Sequence, residues 1–266
     1  MAFVMRHFFE ALQGRSARTR PEPGPRPTTP VAGGEDHWCD DAVLDYYNPA
    51  RFLLLGDSHA GCVGQAAQAA EIPFVGGPLG SGRDFLGPFF DTDATFRREE
   101  PQRLYRAFLD TLDVSGLAAL SIPLVCTFGL SAHTVATRWN WDLYRDRHGT
   151  VPDTFLDNRL FADLVRATVR GALAFYDHAV ALGLRVLAPL PPQRVPGMSD
   201  PEVFFAAQDI VVGELTARGV ELIDLRARVA DATGLQRPAF CKADDTIHGN
   251  LAFGRLVLSE LLDRGL

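Results

Sequence analysis

Short apolar runs, each closed by a turn signal, alternate along this chain with longer stretches in which apolar residues recur at helical spacing. The first run is RFLLLG, residues 51–56, and AGCVGQAAQAAE follows it as a helix of small residues. IPFVGG reads as a second strand. TFRREEPQRLYRAFLDTLD reads as a helix with Pro101 in or near its first turn, where a missing N–H costs nothing. LSIPLVCTFG is a third strand. DNRLFADLVRATVRGALAFYDHAVALG then predicts one long helix, capped by Asp157 or Asn158 and closed by Gly183, with Phe161, Leu164, Val165, Leu173 and Tyr176 on one side. LRVLAPLP is a fourth strand, PEVFFAAQDIVVGELTARG a helix that opens on Pro and ends on Gly, VELIDL a fifth strand, and GNLAFGRLVLSELLDRG a closing helix.

Strands that alternate with helices predict a parallel sheet covered on both faces. Right-handed crossovers restrict its topology. The expected fold class is therefore α/β: a three-layer α/β/α sandwich around a flavodoxin-like five-stranded parallel sheet of order 2-1-3-4-5. Such a sheet gathers ligands at the carboxyl ends of its strands.

The first 36 residues break this pattern. Residues 14–36 are rich in Pro, Gly, Arg and Thr, a composition that cannot bury a core. Residues 1–36 are read as a short amphipathic helix followed by a disordered linker, and residues 37–266 as the folded domain. MAFVMRHFFEALQGR is interrupted by Arg6, His7 and Glu10 and reads as no secretory signal. The four cysteines, Cys39, Cys62, Cys126 and Cys241, form no Cys-x-x-Cys pair, which argues against a disulfide framework. Cytoplasmic location is the resulting expectation. The formal net charge of −7 speaks against nucleic acid as a partner, and no apolar run approaches the roughly 18 residues of a membrane span.

Chemistry enters at Gly56-Asp57-Ser58-His59, at the carboxyl end of the first strand. A serine hydroxyl needs a base to take its proton, usually a histidine oriented by a carboxylate. KADDTIHGN, after the last strand, carries Asp245 three residues before His248. That spacing lets a carboxylate hold one ring nitrogen and leaves the other free to face Ser58, with Asp244 as a competing carboxylate. A rival reading takes Asp57 and His59 as the first ligands of a two-metal phosphoesterase. The further His and carboxylate segments that such a site requires are not in the sequence, so no metal and no cofactor are expected. The glycine-rich stretch 76–82 lacks the Lys-Ser or Lys-Thr of a phosphate-binding loop.

Gly56-Asp57-Ser58 and Asp245-Thr246-Ile247-His248, in this order at the two ends of one α/β domain, resemble the first and last blocks of the SGNH/GDSL hydrolase superfamily. Asn250 and Gly254 resemble its downstream pattern. The resemblance implies a serine esterase with Ser58 as nucleophile, His248 as base and Asp245 as its orienting acid. It further implies an oxyanion hole built from the Ser58 N–H, a glycine N–H and an asparagine side chain. Gly77, Gly80 and Gly82 compete for the glycine, with Gly80 preferred. The third block, CTFGLSAHT, has no asparagine, so Ser131 or His133 would donate instead. Weaker substrate contacts are offered by Asp57, by His59 (otherwise a helix-start residue near the pocket), by Trp139, Trp141 and Tyr144, which either meet substrate or anchor their long loop to the domain, and by an insertion spanning residues 83–108. Arg83 and Arg138 would suit an anionic group. The expected partner is a small-molecule or glycan O-acyl ester, cleaved or transferred. The alternative is an SGNH fold that binds carbohydrate without catalysis.

Overall fold

A computed structural model describes residues 50–91 and 95–266. The readings made for residues 1–36, and the start of the domain at residue 37, lie outside the described residues.

Five short parallel strands form the sheet: β1 (Leu53–Gly56), β2 (Val75–Pro78), β3 (Leu124–Cys126), β4 (Val186–Pro189) and β5 (Glu221–Ile223). Their order is β2-β1-β3-β4-β5, the 2-1-3-4-5 arrangement expected from the alternation of elements. The helices that matter to the site are α1 (Ala60–Ala69), α2 (Glu99–Thr111), α3 (Arg159–Thr168), α4 (Arg170–Ala181), α5 (Pro201–Ala217) and α6 (Leu251–Asp263). Side chains alternate across each strand. Leu54, Val125, Leu187 and Ile223 thereby meet Val63, Ala66, Phe253, Val257 and Leu261 of α1 and α6 in one continuous core. The neighbouring strand residues, among them Leu53, Leu55, Leu124 and Cys126, are equally buried on the other face. There Tyr176 of α4 donates its hydroxyl hydrogen to the Cys126 carbonyl at 3.2 Å.

The long helix predicted over residues 157–183 is two helices. α3 ends at Thr168 and α4 begins at Arg170, with Val169 between them at φ −98°, ψ 13°. The Thr168 carbonyl accepts the Gly87 N–H at 3.1 Å. A loop backbone thus takes the acceptor that a continuous helix would keep for itself. Asn158, not Asp157, supplies the cap, its side chain accepting the Phe161 N–H. Much of the 83–108 insertion, expected at the substrate pocket, builds core. Phe85, Phe89 and Phe96 are buried and pack on Phe128 at centroid distances of 4.5, 5.1 and 5.9 Å, a packing that aromatic edges and faces favour. No helix of the described residues is long and apolar enough to cross a membrane.

Candidate active site

The chain leaves β1 at Gly56, turns through Asp57, Ser58 and His59, and enters α1 at Ala60. Gly56 is required here. A Cβ on it would overlap the Thr127 side chain, which stands just past β3. The turn aims Ser58 out of the carboxyl edge of the sheet, at the N-terminal end of α1, where the helix dipole favours negative charge.

A second segment arrives from the far end of the chain. Between the short turn Pro238–Phe240 and α6, residues 241–249 form a loop closed by a bridge between Cys241 and Gly249. Asn250 fixes its exit. Its side-chain Oδ1 caps α6 by accepting the Phe253 N–H at 3.1 Å, and its side-chain Nδ2 donates to the Ala239 and Cys241 carbonyls. The loop delivers His248 Nε2 to 2.8 Å from Ser58 Oγ, and His248 Nδ1 to 2.6 Å from Asp245 Oδ2. The other Asp245 oxygen accepts the N–H groups of Ile247 and His248 at 2.7 and 2.8 Å. Burial pushes the Asp245 carboxyl up, but these N–H groups and the imidazole outweigh it and hold the group well below the ordinary carboxylate range. Asp244, the competing carboxylate, is exposed.

Arg194, which the sequence reading did not single out, braces this loop. It lies beyond β4, and its guanidinium donates to three backbone carbonyls: Lys242 at 3.1 Å, His248 at 2.7 Å, and Asp245. No local signal marks it, because its partners lie about 50 positions later in the chain. Without it, three carbonyls lose a charged donor and the loop loosens. Arg194→Ala is expected to lower kcat for an acyl ester by about tenfold or more, since catalytic geometry tolerates little misplacement. Steady-state kinetics alongside thermal unfolding checks this. Unchanged kcat with a lowered Tm would make the arginine a stability residue alone.

The structure corrects several weaker assignments. Asp57 is wholly buried and does not reach substrate. Its carboxylate accepts from the Thr127 hydroxyl at 3.1 Å, the His59 N–H at 3.0 Å and the Ser131 hydroxyl. It therefore ties the nucleophile turn to the loop after β3. Burial raises its pKa, and the three donors oppose that rise. Ser131, spent on Asp57, is not aimed at an oxyanion. Trp141 is buried, with its indole N–H on the Val135 carbonyl and its ring 4.9 Å from Phe161. Tyr144 stacks on Phe155. Both aromatics pin their loop to the domain and leave no face for a sugar. Trp139 is exposed. Of the competing glycines, Gly77 sits within β2, paired with Leu55. The open face of Gly80 looks at Asp84 and Phe85. Gly82 is the one against the site: a Cβ there would lie 2.7 Å from Ser131 Oγ and 3.4 Å from Asp57 Oδ2. Gly82 is thus the glycine packed on the side chains that tie the nucleophile turn to the loop after β3.

Two further histidines crowd the base. The His59 ring is 5.0 Å from that of His248 and 5.8 Å from that of His133. His59 is buried, and among the described residues neither ring nitrogen has a hydrogen-bond partner. Burial and repulsion from His248 lower its pKa to about 3. Burial and His59 lower that of His133 to about 4. Both are neutral at physiological pH, so neither competes with His248 for the catalytic proton. Among the described residues no group of three or more His, Cys, Asp or Glu side chains converges as a metal site.

No family profile and no curated protein matches the chain. Among solved structures it is similar to a GDSL-like lipase from Bacteroides thetaiotaomicron, with 13% identity over 81% of this chain and 87% of that one, at a TM-score of 0.44. A lipase/acylhydrolase from Enterococcus faecalis is 15% identical over 80% of this chain and 96% of that one, at 0.39. An acetyl-xylooligosaccharide esterase variant from Geobacillus Stearmophilus is 14% identical over 82% and 95%, at 0.43. Likenesses this distant say nothing of activity, which must be argued from the chain's own side chains.

Proposed function

We propose that the protein is an SGNH-type serine hydrolase acting on carboxylic esters. The observation that carries this reading is the continuous relay Ser58 Oγ, His248 Nε2, His248 Nδ1, Asp245 Oδ2, with links of 2.8 and 2.6 Å. A binding module has no use for three such groups in register. Ser58 Oγ attacks the acyl carbon while His248 Nε2 takes its proton. Asp245 holds the Nδ1–H and stabilises the imidazolium that forms. The oxyanion is held by the Ser58 N–H at the start of α1, by the Gly82 N–H and by the His133 ring in place of the missing asparagine. His248 then protonates the leaving alkoxide, and water, activated by the same imidazole, releases the acid. If an alcohol takes the place of that water, the acyl group is transferred rather than hydrolysed. A small O-acyl group such as acetate, on a sugar or other small molecule, is the proposed substrate.

Intact-mass analysis after treatment with a fluorophosphonate tests the reading. Wild type is expected to gain one adduct and Ser58→Ala none. A folded wild type that gains no adduct would favour the non-catalytic alternative.

A further inference from the structure

Arg83 is exposed, within electrostatic reach of His133 at the rim of this site, and has no ionic partner among the described residues. It follows Gly82, whose backbone lies against Ser131 and Asp57 on the site floor. The adjacent carboxylate, Asp84, is turned away, accepting from the N–H and hydroxyl of Ser81 and from Arg98. Among the described residues no carboxylate lies within ion-pair distance of Arg83. Its guanidinium instead meets the thioether of Met198 at 3.8 Å, a weak acceptor.

Met198 ties Arg83 back to the chemistry. The next residue, Ser199, donates its hydroxyl hydrogen to the His133 carbonyl at 2.9 Å, and the His133 ring lies beside His59 and through it beside His248. Arg83, Met198, Ser199 and His133 therefore form one strip that ends at the base. Arg138, the other arginine suited to an anion, borders a separate cavity in which Asp142 and Asp200 pair with Arg145.

An exposed guanidinium at a catalytic rim, left with a thioether, is a vacant fork for an oxyanion. From this placement, and on the hydrolase reading above, we infer that the substrate is an anionic ester: a molecule whose acyl or alcohol part carries a carboxylate, sulfate or phosphate that Arg83 binds while the ester reaches Ser58. A charged donor is needed here more than elsewhere. The chain carries a net −7, and Asp57 and Asp245 lie in the floor and wall of the site.

Calorimetry on full-length Ser58→Ala protein, which cannot turn substrate over, separates binding from catalysis. At low salt, 4-acetoxybenzoate is expected to bind about 10- to 100-fold more tightly than its neutral amide, 4-acetoxybenzamide. Adding Arg83→Gln should erase that preference, and Arg83→Lys should keep part of it. Equal affinities, no measurable binding of either compound, or a preference that survives Arg83→Gln would overturn the inference. Turnover of 4-nitrophenyl acetate by wild type is the separate reading of the hydrolase itself. An anion preference without turnover would leave Arg83 as the subsite of a binding protein and end the hydrolase reading alone.

Discussion

Asp245→Asn is expected to lower kcat for 4-nitrophenyl acetate by about 10⁴-fold while leaving the fold intact. The two Asp245 oxygens have different work. Oδ1 accepts two backbone N–H groups, from Ile247 and His248, and Oδ2 accepts from the His248 ring. An asparagine has one acceptor and one donor to place in these two positions. Two N–H donors outcompete one ring nitrogen for the carbonyl, so the amide NH₂ turns to His248 Nδ1. Nδ1 must then accept, which puts the ring proton on Nε2, the nitrogen 2.8 Å from Ser58 Oγ. In that tautomer His248 cannot take the serine proton. The substitution thus keeps the loop and loses the base. Asp244→Asn, on an exposed side chain, is expected to keep kcat close to wild type. Kinetics on both variants, with thermal unfolding to confirm folding, decides the matter. An Asp245→Asn enzyme within tenfold of wild type would mean that Asp245 does not set the tautomer.

The contrast between Asp245 and Asp57 shows what could be read from the chain and what could not. The sheet order was legible because every strand is a short apolar run between turn signals and every crossover contains a helical pattern. The Asp-x-x-His spacing was legible because its geometry is local. Asp57 looked equally chemical in the sequence, yet its partners Ser131 and Thr127 are 74 and 70 residues away. No local pattern announces that a carboxylate will be enclosed. The choice among Gly77, Gly80 and Gly82 was open in the sequence for the same reason, since the closeness of Gly82 to Ser131 is set by a segment about 50 residues away. The aromatics Trp141 and Tyr144 offered the same ambiguity between sugar platform and loop anchor, and burial against Phe161 and Phe155 decides for the anchor. The break at Val169 depends on a hydrogen bond from Gly87, which helix propensity over residues 157–183 cannot contain.

His59, buried, and His133, half-buried, make the fold sensitive to acid in a window set by their own pKa values. The folded His59 titrates near 3 and the folded His133 near 4, whereas both titrate near the ordinary 6.5 when the chain unfolds. Between these limits the unfolded state binds protons that the folded state refuses, so stability is full above about pH 6.5 and falls as pH drops toward 4. The other groups facing His59 respond at different places. Asp245, with its pKa depressed, keeps its stabilising contribution until pH falls below the carboxylate range. Asp57, with its pKa raised, works the other way, because the folded state takes up its proton first and so gains as pH falls. His59 is isolated by substitution. His59→Phe keeps a flat ring beside His248 and removes two unpartnered ring nitrogens along with the titration. The unfolding free energy of wild type is expected to lose about 1.4 kcal/mol more per pH unit than that of His59→Phe between pH 6 and 4, or about 3 kcal/mol across the window. Urea unfolding at half-unit steps of pH reads this difference. Parallel curves for the two proteins would show that His59 is protonated in the folded state, and that the base has a charged neighbour at moderately acid pH.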